Sequence, residues 1–148
     1  PRFNLLKVDA DFQVGSDYLG NADHDWAIPL IGKKRAYSLV PLRKFYDSGA
    51  NVTLSSDWNV NPLSPLAGIA NAVKLKENGL PSVSAAVDAY TINAAKALGL
   101  ESVTGSIEVG KSADLVVLDR EIMNQTPRAI KHAKVIQTIL QGESVYRQ

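Results

Sequence analysis

Apolar positions along the first hundred residues switch repeatedly between strand-like runs and helical spacing. Phe3 and Leu6, with Leu5 beside them, mark the end of a helix over residues 2–8. Phe12 to Val14 reads as a short strand. Val52-Thr53-Leu54-Ser55 reads as a second, being β-branched, short and preceded by a turn signal. Between them, Ser38 is placed to cap a helix from Leu39 to about Asp47, with Pro41 tolerated in its first turn. Ser48-Gly49 closes that helix. After the second strand, residues 56–62 form a loop. Ser64-Pro65 supplies a cap and a first-turn proline for a helix to about Lys76, with Leu66, Ile69, Ala70 and Val73 on one face. Pro81 resets the chain before a short helix from Ser84 to Tyr90. Thr91 is placed to cap another, Ile92 to Leu98, which Gly99 ends. Strand–helix–strand–helix order predicts parallel βα units and an α/β fold.

The pattern changes after Gly99. Leu115-Val116-Val117-Leu118 is a continuous apolar strand, and Val135 to Leu140 alternates with polar residues. Gln141-Gly142-Glu143 then turns the chain into Ser144-Val145-Tyr146-Arg147, a β-hairpin signature. An all-β segment therefore follows the α/β segment, with the boundary near residues 101–105. Residues 15–36, which hold Gly15, Gly20, Pro29 and Gly32, predict a long irregular loop, of a length that is usually functional, often as a lid, or else mobile.

Composition narrows the function classes. The chain has 148 residues, 45% of them apolar, enough for a real core. Its formal net charge of +1, with basic residues scattered, gives no electrostatic case for nucleic acid or an anionic membrane. The densest basic run, Lys33-Lys34-Arg35, reads as a solvated loop. With no cysteine, disulfides, thiolate metal sites and cysteine nucleophiles are excluded. No apolar run approaches the ~20 residues of a membrane helix. The start at Pro1-Arg2-Phe3-Asn4 has neither a Met nor a signal-peptide pattern, and is expected to lie inside a longer sequence.

Asp57 is the residue most suggestive of chemistry. It follows a β-branched strand in a βα succession, and period-2 alternation would put Thr53, Ser55 and Asp57 on one side. In (β/α)8 barrels the C-terminal ends of strands are where catalytic groups gather. The competing reading is a cap for the following loop or helix. Asp9, Asp11, Asp17, Asp23 and Asp25 fail the calcium-loop spacing and read as solvated. His24 and His132 are far apart and form no His-x-His pair. His24, in Asn21-Ala22-Asp23-His24-Asp25-Trp26, is either a pocket-lining residue or an exposed loop histidine. His132 reads as a surface residue.

Longer motifs carry a resemblance. The run from Thr53 to Leu66, Thr-Leu-Ser-Ser-Asp-Trp-Asn-Val-Asn-Pro-Leu-Ser-Pro-Leu, resembles the last barrel strand of the amidohydrolase superfamily. It is most similar to the family 3 branch that includes N-substituted formamide deformylase. The run from Tyr90 to Leu100 resembles that family's late helix. The run Gly105-Ser-Ile-Glu-Val-Gly-Lys-Ser-Ala-Asp-Leu-Val-Val-Leu-Asp119 resembles its return into a β-sandwich, and the hairpin ending in Val145-Tyr146-Arg147 fits too. Together these cover roughly residues 35–148; residues 1–34 fit less closely, in the place of the seventh barrel strand and its loop. The Gly105–Asp119 run also has a plain structural reading: Gly105 and Gly110 permit turns, Ile107 and residues 115–118 fill a sandwich core, and Lys111 is exposed.

The resemblance implies a fold and a chemistry. Residues 1–100 would hold the last two strands and following helices of a (β/α)8 barrel, and residues 101–148 part of a small β-sandwich. The parent would hydrolyse a non-peptide, amide- or formamide-type C–N bond in a small molecule, with a divalent metal, zinc being the expected one. Asp57 matches the family's final aspartate, as catalytic group and metal ligand, with the other ligands expected upstream of Pro1. A divalent cation can bring the pKa of a water to about 7, and a carboxylate within reach takes its proton and passes it to the leaving amine. Trp58 and His24 are candidate substrate-binding residues; so is Arg35, with Tyr37 beside it, near a position that resembles one next to the family's substrate. By itself the piece is expected to hold metal weakly or not at all and to self-associate through open strand edges. The alternative is a catalytically inert fragment or degenerate paralogue acting as a structural module.

Overall fold

The computed structural model describes residues 2–15 and 25–148. Helix α1 (Arg2–Leu5) leads into strand β1 (Ala10–Gln13). A 3-10 turn (Asp25–Ala27) precedes two single-turn helices, α2 (Ile28–Ile31) and α3 (Lys33–Ala36). Helix α4 (Leu42–Asp47) and strand β2 (Val52–Ser55) follow, then helices α5 (Pro65–Lys74), α6 (Val83–Tyr90) and α7 (Ile92–Ala97). The last part contains strand β3 (Leu115–Leu118), helix α8 (Pro127–Lys131) and the hairpin β4 (Val135–Leu140) and β5 (Glu143–Arg147).

Two sheets result. β1 and β2 pair in parallel, Ala10 opposite Val52 and Gln13 opposite Ser55. β3, β4 and β5 form an antiparallel sheet in sequence order. Val52, Thr53 and Leu54 are all buried, as expected of a strand in a parallel sheet covered by helices. The core gathers Val14, Leu42, Val52, Leu54, Ile69 and Leu75. Full burial of a side chain such as Leu42 is worth about 1.5–3 kcal/mol.

Local chemistry explains most boundaries. Ser64 Oγ accepts the Ala67 N–H at 3.4 Å with Pro65 at the first helical position, as the sequence predicts. Ser82 Oγ caps α6 by accepting from Ala85 N at 3.1 Å, so that helix opens at Val83, one residue before its expected start. The β4–β5 turn places Gln141 and Gly142 at φ of 51° and 86°, the left-handed pair that a tight hairpin requires. Asp114 Oδ1 accepts the Gln141 N–H at 2.9 Å, tying this turn to the entry of β3.

Several expectations are corrected. Residues 25–36 are not irregular, because they form a 3-10 turn and two helical turns, broken at Gly32. The rest of the expected lid, residues 16–24, lies outside the described residues. Ser38 does not cap α4: residues 33–36 are helical, and the Ser38 hydroxyl donates to the nearby Lys34 carbonyl at 2.9 Å. Helix α4 starts later, at Leu42, after Pro41. The Thr91 hydroxyl likewise donates back to Val87 O at 2.8 Å instead of capping α7. In both cases the hydroxyl bonds back to a carbonyl of the preceding turn instead of accepting from a forward N–H.

The Gly105–Asp119 run is structural, but not in every detail expected. A Cβ on Gly105 would lie 2.7 Å from the Ala95 Cβ, so glycine lets this turn pack against α7. Lys111 is not exposed: its side chain retains 12% of its accessible surface, and Nζ donates to Ser106 Oγ at 2.6 Å. Ile107 is 88% exposed and Val116 60%, so these positions fill no core among the described residues. Helix α8, which the apolar pattern does not predict, is capped by Thr126 and packs on α5. It buries Ile130 completely, and Ile122, Ile130 and Ala133 join the same core as β2.

Candidate active site

The site is built around the end of β2. The strand stops at Ser55, and Asp57 lies two residues beyond it with φ of 52°. Left-handed backbone costs most residues about 1–2 kcal/mol, and less for Asp. The strand alternation therefore does not carry through to Asp57: Thr53 and Ser55 do share a face, but the turn sets the direction of the Asp57 side chain. Asp57 is exposed, and among the described residues nothing hydrogen-bonds its carboxylate.

The loop after β2 is closed on itself. Val60 N–H donates to Asp57 O at 2.7 Å, and Asn61 N–H to the same oxygen at 3.4 Å. Asn61, only 7% exposed, donates its side-chain Nδ2 to Ser56 O at 2.7 Å. Gly15, just past β1, faces this loop. A Cβ at Gly15 would lie 3.2 Å from Pro62 O and 3.3 Å from the Asn61 Cβ. Glycine there leaves room for the loop to seat against the neighbouring strand.

Asp11 belongs to this neighbourhood, although it reads as solvated in the sequence. Its Oδ1 accepts the Thr53 hydroxyl at 2.9 Å and its Oδ2 the Ser55 hydroxyl at 2.6 Å. The signal lies in the register: Asp11 pairs with Thr53 across the parallel strands, which no single strand reveals. Asp9 accepts likewise from Asn51 Nδ2 at 2.7 Å, and Asp25 accepts from Tyr37 Oη at 3.3 Å. Burial pushes the Tyr90 phenol up to about 12, and the negative charge of Asp11 adds to the rise. A Cβ on Gly68 would collide with the Tyr90 hydroxyl, so glycine there lets the ring lie against α5.

The other candidates are not gathered around Asp57. Trp58 follows it and is 69% exposed. Arg35 is exposed on α3, and among the described residues no hydrogen bond or ion pair joins it to Asp57. His24 lies outside the described residues. His132 is exposed at the end of α8, where its Nδ1 lies 2.7 Å from Arg128 O. Among the described residues no three His, Cys, Asp or Glu side chains come together. The exposed Asp57 carboxylate is a hard oxygen donor and fits a divalent cation as one ligand. The described residues do not complete a ligand set around it.

A family model described as the amidohydrolase family matches residues 1–146. The chain belongs to the amidohydrolase family. Within this family, it is 33% identical over 118 residues to N-substituted formamide deformylase of Arthrobacter pascens, covering 74% of this chain and 22% of the relative. It is also 33% identical over 126 residues to 5'-deoxyadenosine deaminase of Methanosarcina acetivorans, covering 80% of this chain and 28% of the relative. The chain thus spans about a quarter of the length of these amidohydrolase relatives. A solved zinc-bound adenosine deaminase of Xanthomonas campestris aligns over 99% of this chain and 34% of its own, with TM-score 0.65 and 18% identity. That likeness shows a shared fold. The run holding Asp57 and the Gly105–Asp119 run both lie inside the amidohydrolase match.

Proposed function

We propose that this chain is the C-terminal portion of a metal-dependent amidohydrolase that cleaves a non-peptide C–N bond, with Asp57 as its proton-transfer residue. The observation that carries this reading is the exposed Asp57 carboxylate, without a hydrogen-bond partner among the described residues, just past a parallel strand's C-terminal end in an amidohydrolase chain. In this reading residues 1–100 contribute the last two strands and following helices of a (β/α)8 barrel, and residues 101–148 part of a β-sandwich. The parallel β1–β2 pair and the antiparallel β3–β4–β5 sheet are consistent with that division.

A divalent cation, zinc by preference, would supply an acidified water and polarise the substrate. Asp57 would be one of its ligands, the others coming from outside the described residues. The work of this chain is to present the Asp57 carboxylate just past the end of β2, so that it accepts a proton and returns it to the leaving nitrogen. Trp58, Arg35 and His24 are proposed substrate-lining residues. Trp58 is supported by its exposure beside Asp57.

The names of the two relatives offer two substrate classes, an N-substituted formamide and an aminopurine nucleoside. The full-length protein should be assayed for formate release from N-butylformamide and ammonia release from 5'-deoxyadenosine, before and after chelation. Metal-restorable turnover of either supports the reading; turnover unaffected by chelation contradicts it.

A structural-module reading of the isolated chain is favoured by its exposed apolar residues, Val109, Val116, Leu140 and Val145 among them. Among the described residues β1 and β2 pair with no strand but each other, which leaves an edge on either side. We accordingly propose that the chain by itself self-associates. A concentration-independent monomer in sedimentation would contradict this.

A further inference from the structure

Both peptide planes flanking Asp57 are pinned by one short stretch of loop. The Ser56 carbonyl belongs to the plane whose rotation is φ of Asp57, and Asn61 Nδ2 holds that carbonyl at 2.7 Å. The Asp57 carbonyl belongs to the plane that sets ψ, and the N–H groups of Val60 and Asn61 hold it at 2.7 and 3.4 Å. With φ and ψ fixed, the direction of the Cα–Cβ bond is fixed, and only the side-chain torsions remain free. Asn61 itself is buried, against the strand-end glycine Gly15. Its amide nitrogen is spent on a bond inside the loop, next to an aspartate in an uncommon backbone region.

We propose that Asn61 is a positioning residue for Asp57, aiming its carboxylate through the backbone. The inference rests on the reading of Asp57 as the proton-transfer group. Asn61 holds the left-handed turn, and loss of its N–H donor lets the Ser56–Asp57 plane rotate and the carboxylate swing away. A displacement of about 1 Å at such a group can cost ~10²-fold in rate, with little effect on substrate affinity.

The test compares Asn61→Ala, Asn61→Asp, Asp57→Asn and the double variant Asn61→Ala/Asp57→Asn in the full-length protein. Asn61→Asp keeps the shape and replaces the donor by a carboxylate oxygen. Turnover is read with N-butylformamide or 5'-deoxyadenosine, and crystal structures of the single variants report φ at residue 57. Both Asn61 variants are expected to lower kcat by about tenfold or more, to leave KM within about twofold, and to release Asp57 from positive φ. In the Asp57→Asn background the Asn61→Ala change should cost less than about twofold. A purely structural Asn61 would instead cost the same factor in both backgrounds, which overturns the proposal. So does an Asn61→Ala structure with Asp57 still near its present φ and kcat unchanged. If Asp57→Asn is slow but both Asn61 variants are normal, this inference alone falls. If Asp57→Asn itself turns over normally, the reading of Asp57 falls and takes the inference with it.

Discussion

The carboxylate of Asp11 accepts the Ser55 hydroxyl at 2.6 Å across the parallel pair β1–β2, while its second oxygen accepts Thr53 at 2.9 Å. One acid thus clamps two residues on the same face of the strand that leads to Asp57. Thr53 is buried, so its hydroxyl depends on this partner. Replacing Asp11 by Ala should lower stability by about 1–3 kcal/mol, the cost of stranding a buried donor. Asp11→Asn, which keeps one acceptor, should cost less. Urea unfolding of the three proteins measures both, and equal stability of all three would show that these bonds hold nothing.

Tyr90 gives the fold a pH dependence at the alkaline end. Its folded pKa is raised from the ordinary phenol value of 10.0 to about 12, chiefly by burial. A raised folded value means that the neutral phenol is favoured in the native state. The associated stability is complete below the unfolded value and is lost as pH rises through the folded one. Stability should therefore decline between about pH 10 and 12, and Tyr90→Phe should flatten that decline. Asp11→Asn should bring the Tyr90 titration down by part of the shift, since its charge is the smaller cause. Absorbance titration of the phenolate, alongside stability at each pH, checks the sign.

Helix α8 ties the last third of the chain to β2 and α5. Ile130 is fully buried in the core shared with Val52 and Leu54. Ile130→Ala should cost about 2–5 kcal/mol and lower the stability of the whole chain in one transition. A separate, early unfolding of residues 101–148, seen by hydrogen exchange, would contradict a shared core.

Strand β1 opens at Ala10, two residues before its expected start, and stops before Val14, but β2, β3 and the hairpin are legible because their residues leave little choice. Val52–Ser55 and Leu115–Leu118 are too short and too β-branched for helix, and Gln141-Gly142 fits the left-handed pair of a tight hairpin. Ser64-Pro65 is legible as a helix start, and Thr126-Pro127 carries the same signal for α8, without an apolar run long enough to draw attention to it. Ser38 and Thr91 mislead because capping is a competition, and each hydroxyl bonds a carbonyl four residues behind it. Asp57 stands out by its place after a strand, but its left-handed backbone does not, since that depends on bonds from Val60 and Asn61. Asp11 is invisible as a partner because strand register is a tertiary fact.

Metal retention separates this chain from its proposed parent. Among the described residues no further ligand joins Asp57, and one carboxylate cannot close the roughly four-ligand shell of a zinc site. After extensive dialysis, elemental analysis of the 148-residue chain should find well under one zinc per chain. Stoichiometric zinc lost on Asp57→Ala would mean that the chain completes a site by itself, with no need of ligands from elsewhere in a parent protein.

Proton transfer by Asp57 is the step on which the proposed function stands. Asp57→Asn in the full-length protein is nearly isosteric and keeps a group able to hydrogen-bond water, but it removes the proton acceptor. Turnover should fall by ~10²–10⁴-fold, the usual contribution of general acid–base catalysis. Metal content should fall less than activity, because the other ligands carry most of the binding. Ser56→Ala, at the adjacent residue, should have a much smaller effect. The deciding measurement is kcat with bound metal for the unsubstituted protein and these two variants, using N-butylformamide or 5'-deoxyadenosine. A loss confined to Asp57→Asn is the predicted result; near-normal turnover by Asp57→Asn would make this aspartate a loop cap and contradict its role in proton transfer.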